Sequence, residues 1–156
     1  LLKTIEVTTN SINQTQQKIS ILLDSSKAFV VSSSKITFED WSDFVDQLKL
    51  NTLFKAIDGI GFISLVKKKD ILNFENQIKE LGITNYRLNV LNAEYSDRFN
   101  DHFILTYLAP NTLENQQTVG LDIGSDKKRR EAAWTAKRLN KTFSSGQFKL
   151  RDNTYI

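Results

Sequence analysis

The first 33 residues contain neither Pro nor Gly, and their apolar side chains repeat every seven residues. Ile5, Ile12 and Ile19 form one series. Thr8, Thr15, Leu22 and Phe29 form a second, offset by three. These are the a and d positions of a heptad, so the chain opens with one long helix, a stalk over residues 1–35. The stripe is narrow and its d side begins with Thr. Two readings stand: a seam between two protomers, and a helix packed on its own domain.

A chain of 156 residues is one domain in length. Its 40% apolar and 25% charged residues are those of an ordinary globular protein, and ten Phe, two Trp and four Tyr supply core material. Cys is absent, which excludes disulfides and thiolate metal sites. Met is absent too, even at position 1, so the chain reads as a piece of something longer or as a mature product whose start carried a signal or an anchor. No apolar run nears the roughly 18–20 residues that a membrane span needs. The longest, Ile60–Val66, is strand-sized. The net charge of +3 comes largely from two short basic runs, Lys67–Lys69 and Lys127–Arg130. They read as solvated surface; a nucleic-acid footprint needs a denser stripe with exposed aromatics. The lone His102 makes no metal site and belongs at the surface. No nucleophile–base pair assembles around it. No catalysis, cofactor or metal is expected.

Beyond Ser32–Ser34, Thr37 is an N-cap with Asp40 as its capping-box partner, and Phe38, Trp41, Phe44, Val45 and Leu48 mark one helix face. Asp58-Gly59 is a turn before a strand over Ile60–Val66, in which Gly61 signals a bulge or a close backbone approach. Asp70 caps a helix through Ile71, Phe74, Ile78 and Leu81, closed by Gly82. Alternation gives further strands at Tyr86–Val90, Phe103–Leu108 and Thr118–Ile123, with polar turns between them. Ser125 caps a helix to about Asn140, and Gly146 introduces a fifth strand, Gln147–Arg151. Three successive strands with short links favour antiparallel pairing. The expected fold is α+β: a five-stranded antiparallel sheet with flanking helices, preceded by the long helix.

Within this order Pro110, Asn115, Gly120, Asp122, Ser125, Arg129, Arg130, Ala132, Ala133 and Ala136 are spaced as turn, strand, helix start and small-residue packing face. That pattern resembles the CHASE domain, the extracytoplasmic sensor module of membrane-bound signalling receptors. The resemblance covers about residues 38–150. It takes in the helix of Phe38, Trp41, Phe44 and Leu48, the strand at Gly59–Phe62, Phe74-Glu75, Leu105–Tyr107 with Pro110, and Ser145-Gly146 with Leu150. His102–Ile104 depart from the family, which often opens this strand with Tyr and Pro. The resemblance implies a PAS-like, membrane-distal sensor lobe over residues 36–156. The second lobe and the transmembrane segments would lie outside this piece.

The resemblance also implies a role: a non-enzymatic sensor on the periplasmic face of the cell membrane. A small solute would be bound, and the signal would pass through the N-terminal helix to a histidine kinase or diguanylate cyclase. A homodimer through that helix is expected. The alternative is a structural or protein-interaction domain without a pocket. Candidate ligand-binding residues are Tyr86, Phe103, Leu105, Tyr107, Asp122, Arg129 and Phe148. Phe103, Leu105 and Tyr107 share one strand face and Ile104, Thr106 and Leu108 the other, with Tyr86 and Phe148 on neighbouring strands. Each has a plainer reading as core. Asp122 stands at a strand end, either as a ligand contact or as an acceptor of backbone N–H bonds. Arg129 opposes the dipole in the first turns of a helix, which makes sense beside a bound anion; the plainer reading is solvent exposure. In the family's plant cytokinin receptors an acidic side chain near this helix start holds an adenine. A basic residue near Arg129 stands there instead, which implies an anionic ligand.

Overall fold

The computed structural model describes residues 2–54 and 57–147, with side chains from residue 10 onward. The chain is α+β, with a long N-terminal helix and a four-stranded mixed sheet. Helix α1 (Leu2–Ser32) is followed by α2 (Phe38–Gln47) and a single turn, α3 (Leu50–Leu53). Strand β1 (Ile60–Lys67) leads through a 3-10 turn into α4 (Ile71–Glu80). Then come β2 (Asn89–Val90), α5 (Ala93–Ser96), β3 (Asp101–Ala109), α6 (Leu113–Thr118), β4 (Leu121–Asp122) and α7 (Lys127–Leu139).

The strand order is β1-β3-β4-β2. β3 pairs antiparallel with β1 and with β4, but β2 runs parallel to β4. The expectation of an all-antiparallel sheet is corrected here. β2 does not turn back onto β3, because β4 inserts between them. The fifth expected strand, Gln147–Arg151, lies outside the described residues except for Gln147, which is in no strand.

Two of the four capping signals are realised. Thr37 accepts from the Asp40 N–H, and the Asp40 carboxylate accepts from the Thr37 N–H at 2.8 Å, a complete capping box. Gly82 takes φ +103° after α4. Asp70, expected to cap α4, makes no side-chain cap bond because the 3-10 turn runs straight into the helix. Asp126, not Ser125, caps α7, accepting from the Arg129 N–H at 3.0 Å. Ser125 instead ties β2 to β4, accepting from the Leu91 N–H and donating to the Asp122 carbonyl.

On β1 and β3, Phe62 faces Tyr107 while Ile63 faces Leu105, so Thr106 is the extra residue of a bulge. This breaks the expected alternation. Ile104 and Tyr107, three apart, join one core cluster with Trp41, Val45, Ile60, Ile78 and Tyr86. Phe103 points the other way, edge-on to Trp134 of α7 at 5.2 Å. Helix α2 lies on the first face. Trp41 donates its indole N–H to the Ile60 carbonyl at 3.1 Å, and Phe38 packs against Tyr107.

Among the described side chains of α1, those that pack on the domain lie in its second half. Leu22 and Ser26 are buried, and Phe29 stacks on Phe44 of α2 at 4.5 Å. Lys27 reaches Asn140 beyond α7 at 2.7 Å. Residues 10–18 are exposed throughout.

Candidate ligand recess

Among the described residues, those singled out in the sequence do not gather around one cavity. Phe103 and Leu105 are buried on either side of Ile104, each about 5% exposed. Tyr107 is 1% exposed, and its hydroxyl donates to the Ile36 carbonyl at 3.0 Å. Burial pushes that hydroxyl's pKa up, with the Asp40 carboxylate adding to the effect. Phe148 lies outside the described residues.

Asp122 is completely buried. One carboxylate oxygen accepts from the N–H groups of Phe103 at 3.0 Å and Gly124 at 2.9 Å. The other accepts from the Ser96 hydroxyl at 3.1 Å and meets Nδ1 of His102 at 2.8 Å. His102, expected at the surface, is 4% exposed. Strand β3 starts at Asp101 and is buried on both faces, which takes His102 inside with it. No sequence signal marked Ser96, which sits in a polar stretch read as loop. Serine, histidine and aspartate therefore do meet, contrary to expectation, but not as a relay. Ser96 and Asp122 both approach Nδ1 of the ring, whereas a nucleophile must sit on the nitrogen opposite the carboxylate.

Arg129 is half-buried on the first turn of α7. Burial lowers its pKa, and the Asp126 carboxylate opposes that shift. Its neighbour Arg130 is the more deeply buried of the two. That guanidinium lies 3.5 Å from the centre of the Phe99 ring and donates to the Asp101 carbonyl at 3.0 Å. It also stands beside Gly124, where a Cβ would meet it at 3.1 Å.

Tyr86 alone among the described candidates lines an open recess, a cavity of about 520 Å³, within the usual range for small-molecule sites. The backbone brings Tyr86 there by a turn after α4, its N–H donating to the Ile83 carbonyl. The ring packs edge-on to Phe74, and the hydroxyl donates to the Leu105 carbonyl at 3.3 Å. Burial pushes the hydroxyl well above the ordinary tyrosine range. Phe38, Ile83, Leu108, Leu113 and Val119 give the rest of the apolar wall. Thr84, Asn85, Asn111, Gln116 and Gln117 give the polar rim. No charged side chain lines the recess among the described residues. Sequence reasoning missed Asn111 and Gln116 because the segment after Pro110 read as a plain turn. It holds helix α6, capped by Thr112.

The CHASE domain family model matches residues 34–155. The chain belongs to the CHASE domain family. A search of curated proteins gave no match. The CHASE match spans the sheet, the recess and the helices that follow α1, and leaves out the whole of α1. CHASE domains are sensory rather than catalytic, and serve signalling receptors of membranes. Among the described residues no helix is long and apolar enough to cross a membrane.

Proposed function

We propose that this CHASE domain is the extracytoplasmic, ligand-binding lobe of a membrane-anchored signalling protein with a histidine kinase or diguanylate cyclase output. A small solute occupies the recess beside Tyr86. Its binding biases the position of α1, which carries the signal towards the membrane. The lobe is read as PAS-like, with the sheet as its platform.

One observation carries this reading. Phe38, the first residue of α2, lines the recess, and Phe44, two turns on, stacks on Phe29 of α1. A single short helix thus touches both the site and the output element. A ligand shifts such an equilibrium only through differential affinity for its two states. Phe38 is placed to sense occupancy, and Phe44 to pass it on.

The test has two steps. A thermal-shift screen of nucleobases, amino acids, organic acids and oligosaccharides identifies a binder, which at a hundredfold excess over its dissociation constant adds roughly 2.7 kcal/mol. Spin labels on the exposed half of α1 and on α7 then report whether their separation changes. The expected result is a ligand-dependent change that Phe44→Ala removes. A binder that stabilises the domain and leaves α1 where it was refutes the reading.

A further inference from the structure

We infer that a groove between α5 and α7 is a second binding site, one for a small anion: a flat apolar body that carries a carboxylate. The groove holds about 420 Å³ and shares no lining residue with the recess beside Tyr86. Its occupancy does not depend on that recess being the sensory site.

Arg130 lines the groove and is 6% exposed. A guanidinium keeps its charge at any ordinary pH, so once buried it needs partners along its whole edge. Its Nη1 donates to the Asp101 carbonyl, and its plane lies over the Phe99 ring. Nε and Nη2 have no hydrogen-bond partner among the described residues, and both keep contact with solvent. These two nitrogens form one side of the guanidinium fork, which takes a carboxylate through two parallel bonds. Among the described residues no carboxylate fills that place. Asp122 is buried across Gly124 from Arg130, but its oxygens are taken by Phe103, Gly124, Ser96 and His102.

The surroundings add to the pull on an anion. Arg138, two turns along α7, lines the same groove without an ion pair among the described residues. Lys137 lies over the Trp134 ring at 5.2 Å. Against them stands Glu131, the one carboxylate of the described lining. Exposed charges of this kind are worth little one by one, because water and salt screen them. The buried fork of Arg130 is what sets this groove apart from ordinary basic surface. The walls set the shape of the occupant. Tyr95, Phe99 and Trp134 are half-buried and line the groove. Arg130 takes a face of Phe99, which leaves Tyr95 and Trp134 as apolar surface for a flat body.

Arene carboxylates and their carboxamides test this on the whole chain: benzoate and benzamide, phenylacetate and phenylacetamide, with acetate as an anion that has no ring. Protein-observed nuclear magnetic resonance reads the Trp134 indole and the backbone amides of Phe99 and Thr135. At least one arene carboxylate should move these resonances. It should bind at least about tenfold more tightly than its carboxamide and than acetate, a difference of about 1.4 kcal/mol. Arg138 and Glu131 are exposed, so their variants keep the fold. Arg138→Gln should weaken the carboxylate about two- to fivefold, and Glu131→Gln should strengthen it by a similar factor, the size expected of one exposed charge. Arg130→Lys keeps the charge and loses the fork, so it should cost more than Arg138→Gln does. Should that variant not fold, the two exposed ones decide. Carboxamides or acetate that bind as tightly as the arene carboxylates overturn the inference. So do carboxylate shifts that neither exposed variant alters, or that fall on Asn85 and Val119 instead, and so does a chain that no arene carboxylate moves. The sensory reading fails separately, if no bound solute moves α1.

Discussion

The carboxylate of Asp122 accepts from two backbone N–H groups and the Ser96 hydroxyl, and meets the His102 imidazole, all of it out of water. Asp122→Ala would leave those donors buried without an acceptor. Urea denaturation should then show a loss of about 3–5 kcal/mol, the range for breaking one side of a buried polar pair. A ligand contact would behave differently, losing affinity at unchanged stability. The two tyrosines give a second expectation. Burial raises the pKa of the Tyr86 and Tyr107 hydroxyls, so each keeps its proton in the folded chain after the unfolded chain has lost it. Their contribution to stability is therefore complete below about pH 10 and declines as pH rises through the folded values. Denaturation midpoints should fall along an alkaline limb that Tyr86→Phe makes shallower. The residues of the sequence pattern were legible as a set, but most of them solve backbone problems. Pro110 and Asn115 are tied at 2.8 Å. Gly120 holds φ +88° against the Arg87 carbonyl. Arg130 stacks on Phe99. Spacing shows that such residues act together; it does not show whether they face a ligand or one another.

Among the elements, those with strong periodicity or a capping pair were readable: α1, α2, α4, β1, β3 and α7. The short ones were not. Tyr86–Val90 alternates like a strand, yet only Asn89 and Val90 pair, because their partner β4 is itself two residues long. The parallel direction of that pair depends on where β4 enters the sheet, a long-range matter that local pattern does not encode. Helices α5 and α6 are short and rich in polar residues, so only their caps, Asn92 and Thr112, could have announced them. The bulge at Thr106 was signalled one strand away. A Cβ at Gly61 would collide with the Leu105 side chain, the close approach that a glycine in mid-strand implies. The capping box at α2 makes a prediction of its own. Hydrogen bonds from the Thr37 side chain and N–H lower the pKa of Asp40. Its contribution is present above the ordinary value of 3.8 and is lost as pH falls through the folded one. Asp40→Asn should remove that acid-sensitive part of the stability curve and lower the midpoint at neutral pH. Because α2 joins the recess to α1, the same change should weaken any ligand-driven movement of α1.

At the scale of the whole molecule, the two halves of α1 differ. Residues 19–33 touch the domain through Leu22, Ser26, Phe29 and Val30, which settles half of the choice left open by the heptad: this part packs on its own chain. Residues 10–18 are exposed on every side, Ile12 at 53%. A helical arm of that length, rich in Ser, Thr and Asn, is marginal in water by itself. Its heptad positions give a second copy of the same arm a surface to pair with, and mutual cover would add the stability that local propensity lacks. The expected assembly is a dimer through the arm, weak because its seam is narrow and partly Thr. Light scattering over a range of concentrations should show the mass rising towards twice that of one chain. A chain shortened by residues 1–16 should stay single and unfold at the same urea midpoint, since none of the described side chains it loses contacts the domain. A strict monomer at every concentration would mean that the arm has no partner in its own kind. A truncated chain that still pairs would place the interface on the folded domain.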